Sequence, residues 1–290
     1  MSTGLRFLVP WEPSPTAWIL AVLAAVLYWR GQRRWPASRL RQATWWIGFA
    51  LCYIAMQSRW DYFAEHAFFL QRLQHLVLHH LGPFLVAAAL PGPQLRAGLP
   101  LALRTRMFRA MRRTPLVRGV LKVLLDPWIA AVLFAGLVAL WLYPPVEFVA
   151  MLDDRIYRLM NWSMLLDGLL FWWLILDPRG KPPARLSPGM RTLLPLAVAL
   201  PQIMIGAFIT FTSHDLYPAF DVCGRAFPWL TPASDQYMGG LIIWIPASMM
   251  SVIASLLAMR RWLLLDARKS RRGERRSIRT TGNPTAGHQA

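Results

Sequence analysis

The sequence predicts an all-α polytopic membrane protein, a bundle of seven transmembrane helices with its N-terminus outside and its C-terminus cytoplasmic. Three observations carry this reading. The 290 residues are 56% hydrophobic and contain more apolar stretches near the ~20 residues of a spanning helix than any soluble domain would need. The 32 Lys and Arg are clustered: five between Arg30 and Arg41, eight between Arg96 and Lys122, four between Arg179 and Arg191, nine between Arg260 and Arg279. The alternate connections are poor in Lys and Arg and hold Asp61, Glu65, Glu147, Asp153, Asp154, Asp215, Asp221 and Asp235. By the positive-inside rule this alternation needs an odd number of spans, in agreement with the apolar pattern.

The first span is expected at about 15–29. No basic region precedes it and basic residues follow it, which predicts an uncleaved helix rather than a signal peptide. The next six are expected at about 41–58, 66–90, 126–143, 158–176, 192–212 and 237–259. The connection 91–125 is the longest. Its segment 104–124 is basic and partly amphipathic and is expected along the inner membrane surface, divided by Pro115. The Pro- and Gly-rich loop 177–191 cannot be helical throughout. The external loop 213–235 combines turn formers with aromatics and is expected to cap the bundle. Residues 1–265 thus form the transmembrane domain, and 266–290 a basic, disordered cytoplasmic tail.

The net charge of +18 suggests nucleic acid only until the charges are placed. They read as topology signals and anionic-lipid contacts, and the tail lacks the interleaved aromatics of a base-stacking platform. The expected partner is the lipid bilayer, with no nucleic acid. Two cysteines make no disulfide framework. No Ser or Cys nucleophile is paired with a base, and no His-Glu-x-x-His motif occurs, so no enzymatic activity is expected.

The third span carries the chemistry. Residues 61–93 hold four of the six histidines, His66, His75, His79 and His80. Ionisable groups inside a bilayer are expensive and usually serve ions, protons or cofactors. Gln71, His75 and His79 fall on one helical seam, with His75 roughly 13–14 Å below His66 and His79 about 6 Å deeper. His80 is turned about 100° from His79. One helix cannot gather all four imidazoles around one ion, so a metal site must recruit other helices. Pro83 removes the hydrogen bond to the His79 carbonyl, leaving it free as a ligand or acceptor. Other polar groups gather towards the outer side: Asp61, Glu65, Asn161, Asp167, His214, Asp215, Asp235 and Gln236. Met56, Met160, Met164 and Met238 lie at comparable depth, and imidazole with thioether suits copper better than magnesium or calcium. A metal site, a proton or structural hydrogen-bond network and a haem site all remain open on spacing. Haem is the least favoured, because every deep histidine lies on one helix.

Several separated runs resemble the CtaG-like, caa-type cytochrome c oxidase assembly protein family, seven-helix proteins of the bacterial inner membrane. LQHLVLHHLGPFLVAAALPGP (73–93) is similar to the family's third-helix signature, DPWIAAVLFAGLVALWLYPP (126–145) to its fourth helix and DGLLFWWLIL (167–176) to its fifth. SHDLYPAF (213–220) and DQYMGGLIIWIP (235–246) are similar to the end of the sixth and the start of the seventh. The resemblance implies an assembly factor that delivers copper to cytochrome c oxidase subunits through an outward-facing His/Met-lined site. The ligand candidates are His75, His79, His66, His80, His214 and Met160. Asp61, Glu65, Gln71, Asn161, Asp235 and Gln236 stand at its entrance or around it. The chain departs from the family at two positions: Gln71 stands where the first His of a His-Met-x-x-His run is common, and Met160-Asn161 where a Glu-His pair is. The alternatives are a metal-free scaffold for an oxidase subunit, which these replacements favour, and a copper transport or tolerance protein.

Overall fold

The computed structural model describes residues 9–182, 184–225 and 227–281, and every regular element among them is helical. The long helices are α1 (Pro15–Arg34), α2 (Arg39–Met56), α3 (Phe68–Ala88), α4 (Pro127–Leu142), α5 (Asp154–Ile175), α6 (Pro188–Phe211) and α7 (Pro232–Thr281). Among the described residues α6 and the stretch Pro232–Ala267 of α7 are each long and apolar enough to cross a membrane alone. Two bent pairs, α3 with Gly92–Gly98 and Pro115–Leu124 with α4, pass the same test when each is taken together.

Helix starts follow local chemistry more than hydrophobicity. Ser14, Ser38, Asp126, Asp153 and Ser187 accept backbone N–H groups in the first turns of α1, α2, α4, α5 and α6. Pro15, Pro127 and Pro188 occupy first positions, where a missing N–H is harmless. These caps place the starts of α5 and α6 four residues before the apolar runs that mark them in the sequence. At the far end, α7 continues to Thr281. The stretch from 266 expected to be a disordered tail is therefore helical as far as 281, an Arg-rich run with no proline between Pro246 and Thr281. Residues 282–290 lie outside the described residues.

Arginines from neighbouring elements close the opposite helix ends. Arg41 donates to the carbonyls of Ala89 and Leu90 at 2.8 Å each. Arg261 donates to Leu176 O at 2.5 Å and Arg191 to Asp177 O, while Arg191 also holds Leu186 O of the loop before α6 at 3.0 Å. A cation at a helix C-terminus answers both the orphan carbonyls and the dipole.

Two apolar layers fill the interior. One joins Phe84, Phe134, Phe171, Trp172, Val198 and Ala254. The other, nearer the N-terminal end of α3, joins Phe68, Trp141, Tyr157, Met160, Tyr217 and Phe220. Tyr217 and Phe220 come from the loop after α6, which folds over the bundle as its sequence suggests. Tyr217 stacks on Phe68 with centroids 4.1 Å apart and donates to Leu142 O at 3.0 Å. Outward-facing positions are strongly apolar and exposed, as at Ile19, Val132, Met204 and Phe211.

α6 and α7 pack through small residues. A Cβ on Gly206 would stand 2.8 Å from Trp244 Cβ, and one on Gly240 would stand 2.8 Å from Thr210 N. Without a hydrophobic drive between helices in lipid, such close backbone approach carries the packing. Gly240→Leu should therefore destabilise the protein by about 1–3 kcal/mol through overpacking. Gly136→Leu, with open space around it, should leave thermal unfolding in detergent nearly unchanged.

A histidine-lined cavity at the broken third helix

α3 is three segments in series. Phe68–His75 and Gly82–Ala88 are α-helical, and Leu76–Leu81 between them is a π-helical turn. Pro83 explains the break, since it has no N–H to return to the carbonyl of His79. The turn widens instead, and the Gly82 N–H reaches back to Val77 O. π turns of this kind recur at functional sites. The freed His79 carbonyl accepts from the indole of Trp172 at 3.1 Å, so it is an occupied acceptor and not a free ligand. Gly168, one turn before Trp172, sits against the same carbonyl, where any Cβ would collide.

This approach of α5 to the π turn places two polar partners on the histidines. His75 Nε2 lies 3.1 Å from Asn161 Oδ1, and His79 Nε2 lies 3.0 Å from Asp167 Oδ2. Both oxygens accept, which assigns the proton to Nε2 and the lone pair to Nδ1 of each ring. Phe134 of α4 stacks on His79 with centroids 4.0 Å apart, fixing its plane. His80, which ideal helical geometry turns away, comes within 5.0 Å of His79, ring centroid to ring centroid. The π turn thus brings His75, His79 and His80 to the wall of one cavity of about 30 Å³, enough for a water molecule or an ion. Arg72, Met164 and Gln202 complete its polarisable and polar lining. The Nδ1 atoms of all three histidines and both side-chain polar atoms of Gln202 are buried without a hydrogen-bond partner. Among the described residues, no three His, Cys, Asp or Glu side chains stand as a group able to hold a metal ion.

The other candidate residues serve elsewhere. His66 is not part of α3: it ends the short helix Trp60–Glu65, its Nδ1 is 2.6 Å from Tyr62 O, and α3 begins at Phe68. His214 is exposed beyond the end of α6. Met160 is fully buried in the outer apolar layer. Gln71 accepts from Arg72 and donates to Met151 Sδ at 2.9 Å.

Asp235 and Gln236 stand in the first turn of α7, but their polar atoms are engaged. Asp235 accepts from the backbone N–H of Phe68 at 3.0 Å and Phe69 at 2.8 Å, and from Arg225 at 2.6 Å. It is the N-cap of α3, supplied from 167 residues away. That is why the chain turns at Ala67 and His66 is left outside the helix. Gln236 donates to the carbonyls of Ile209, Thr212 and His214 and accepts from Leu216 N, holding the end of α6. Neither residue has a free oxygen with which to draw cations.

Asp61 and Glu65 are freer. Asp61 accepts from Gln74 at 2.6 Å and from Tyr157 at 3.5 Å, and Tyr157 also donates to Gln74. Asn161, the partner of His75, lies one turn along α5 from Tyr157. Burial pushes the Asp61 carboxyl up to about 7. Burial, with repulsion from Asp61, Glu12 and Asp154, pushes Glu65 up to about 8.

Sequence reasoning did not single out Arg72, Glu147 or Gln202. Arg72 and Glu147 pair at 2.9 Å, both buried, above the cavity. An Arg and a Glu flanking an apolar run carry no signal that they will meet across 75 residues.

A family model described as cytochrome c oxidase caa3 assembly factor (Caa3_CtaG) matches residues 20–264. The chain belongs to this family. The matched region runs from within α1 to near the end of the apolar stretch of α7, and it contains every cavity residue named above. No curated protein and no solved structure matches the chain. Gln71 and Asn161 both border His75 of this assembly factor: Gln71 lies one turn before it on α3, and Asn161 is its hydrogen-bond partner.

Removing the cap in Asp235→Ala leaves two N–H groups unanswered and Arg225 with Asp221 as its remaining carboxylate. It should destabilise the solubilised protein by about 1–2 kcal/mol, with Asp235→Asn milder, as read by thermal unfolding. The pH dependence has a definite sign. Asp61 and Glu65 hold their protons more tightly folded than unfolded, so their contribution to stability is full below about pH 4 and is lost as pH rises through 7 and 8. Unfolding temperature should fall between pH 5 and pH 9, and the double variant Asp61→Asn, Glu65→Gln should flatten that fall.

Proposed function

We propose that this assembly factor presents copper to a cytochrome c oxidase subunit from the cavity at the π turn of α3. In this reading α1 to α7 all cross the bacterial inner membrane, with the N-terminus outside, the C-terminus cytoplasmic and 1–265 as one transmembrane domain. The observation that carries it is the convergence of three buried imidazoles, each with an unpartnered Nδ1, on one cavity. Neutral imidazole is a copper ligand, and the Met164 thioether favours the softer Cu(I). His75, His79 and His80 would bind the ion. Asn161 and Asp167 would orient the first two through Nε2, the usual arrangement around a ligating histidine. His66, His214 and Met160 take no part. Asp61 and Glu65, with carboxyls pushed up to about 7 and 8, would attract a cation at the mouth only once the pH rises through that range. The role is handover, with no reaction to catalyse.

Passage of copper through the bundle fits less well, because Phe84, Phe134, Phe171 and Trp172 form an apolar block beside the histidines. The reading with a specific observation behind it is the metal-free scaffold. The Arg72 cation lines the cavity, and among the described residues no three-ligand group is assembled.

The deciding experiment uses a deletion strain complemented with wild type or with His75→Ala, His79→Ala, His80→Ala combined, grown with and without added copper. Copper handover predicts that the triple variant accumulates in membranes, loses cytochrome c oxidase activity and regains it with added copper. Loss that copper does not restore means scaffolding, and unchanged activity rules out the site. For purified protein, Asp167→Asn should weaken Cu(I) binding by about 10–100-fold, measured by competition with a chromogenic chelator.

A further inference from the structure

The connection between α3 and α4 holds two basic helices whose apolar sides are largely exposed among the described residues. In Pro115–Leu124, Leu116, Val117, Val120, Val123 and Leu124 share one face, and Arg118 and Lys122 share the opposite one. All seven side chains are exposed; Leu116 is 74% and Val123 51% accessible, and the helix buries no residue at all. In Leu101–Arg113, Leu103, Met107 and Met111 form one stripe and the exposed Arg106, Arg109 and Arg113 another.

The geometry says what covers them. Pro115–Leu124 meets α4 at 66°, and Gly92–Gly98 leaves α3 at 78°. With α3 and α4 as successive spans, both bends lie on the same side of the bilayer, since the connection between them does not cross it. With α3 and α4 crossing a bilayer, both short helices lie nearer its plane than its normal. The level is marked by Arg34 and Arg41, which cap the carbonyls of Ala97, Ala89 and Leu90 there. A helix in that position, apolar on one side and cationic on the other, is built for an interface. A protein partner would have to match both an apolar stripe and a row of cations, whereas an anionic lipid leaflet supplies acyl chains and phosphates together.

We propose that residues 101–124 form an interfacial helix pair that binds anionic phospholipid, with Leu116, Val120 and Val123 in the acyl region and Arg106, Arg109, Arg113, Arg118 and Lys122 on the phosphates. The site is separate from the histidine cavity and stands whether or not the cavity binds copper.

The test uses the full chain with Cys52→Ala and Cys223→Ser, carrying either Arg118→Cys or Val120→Cys labelled with bimane. It is reconstituted in phosphatidylcholine vesicles with brominated acyl chains, with or without an equal share of phosphatidylglycerol. The label at 120 should be quenched by bromine several-fold more than the label at 118, and more strongly with phosphatidylglycerol present. Equal quenching at both positions would make 115–124 part of a broken span, and no quenching at either would leave the face to water or a protein; both results overturn the proposal. Independently, Arg106→Glu, Arg109→Glu, Arg113→Glu and Arg118→Glu combined should lower the phosphatidylglycerol that co-purifies, measured by mass spectrometry, several-fold. Undiminished lipid would likewise overturn it.

Discussion

A backbone carbonyl that cannot be satisfied by its own helix sets the centre of this molecule. Pro83 takes away the N–H that His79 O would accept, and inside a bilayer no water replaces it. The structure answers with two adjustments at once. The helix widens into a π turn, and α5 comes close enough for Trp172 to supply the missing donor. The approach needs Gly168, because a side chain there would strike the carbonyl. Once α5 is that near, Asn161 and Asp167 fall on His75 and His79. The polar interior therefore follows from one absent proton and the small residue that lets a neighbour compensate for it.

The end of the bundle where α3 begins depends on buried charge. Arg72 with Glu147, and Asp235 with Arg225, are ion pairs whose inward members are almost wholly enclosed. Such pairs add little net stability over apolar residues of the same shape, but losing one partner is strongly destabilising. They act mainly as registration devices. Arg72 fixes where the short helix Pro144–Leu152 lies, and Asp235 fixes the first residue of α3. Neighbouring Gln236 does the same for the end of α6, so two consecutive residues of α7 set the ends of two other helices. The run DQYMGG is in this sense a splice: two caps followed by two glycines that let Phe68 and Thr210 close in.

Much of the architecture was legible in the sequence. Apolar runs located the long helices, and Ser-Pro or Asp-Pro pairs now account for the starts of α1, α4 and α6. Pro115 split the long connection where a proline must. His75 and His79 were correctly set on one seam, and the family resemblance carried by 73–93 and 235–246 holds over residues 20–264. The remainder was hidden because it depends on non-local pairing. Helical periodicity assumes a constant 3.6 residues per turn, so it could not foresee that a π turn would restore His80 to the cavity. It drew His66 into the third helix because nothing nearby shows that a carboxylate 167 residues on will cap Phe68. Polar residues at an outer helix end look like a mouth in one dimension; in three, Asp235 and Gln236 are fasteners.

The distance spanned by that cap also has a consequence in time. Chains emerge from the ribosome at about 5–20 residues per second, so Asp235 follows Phe68 by roughly 10–30 seconds. For that interval α3 lacks its terminal carboxylate, and α6 lacks the side chain that closes it. The histidine cavity is thus among the last parts of the protein to take shape, and a chain cut short before α7 would reach the membrane with its imidazoles present but unassembled. Completion of synthesis itself becomes the condition for a finished site.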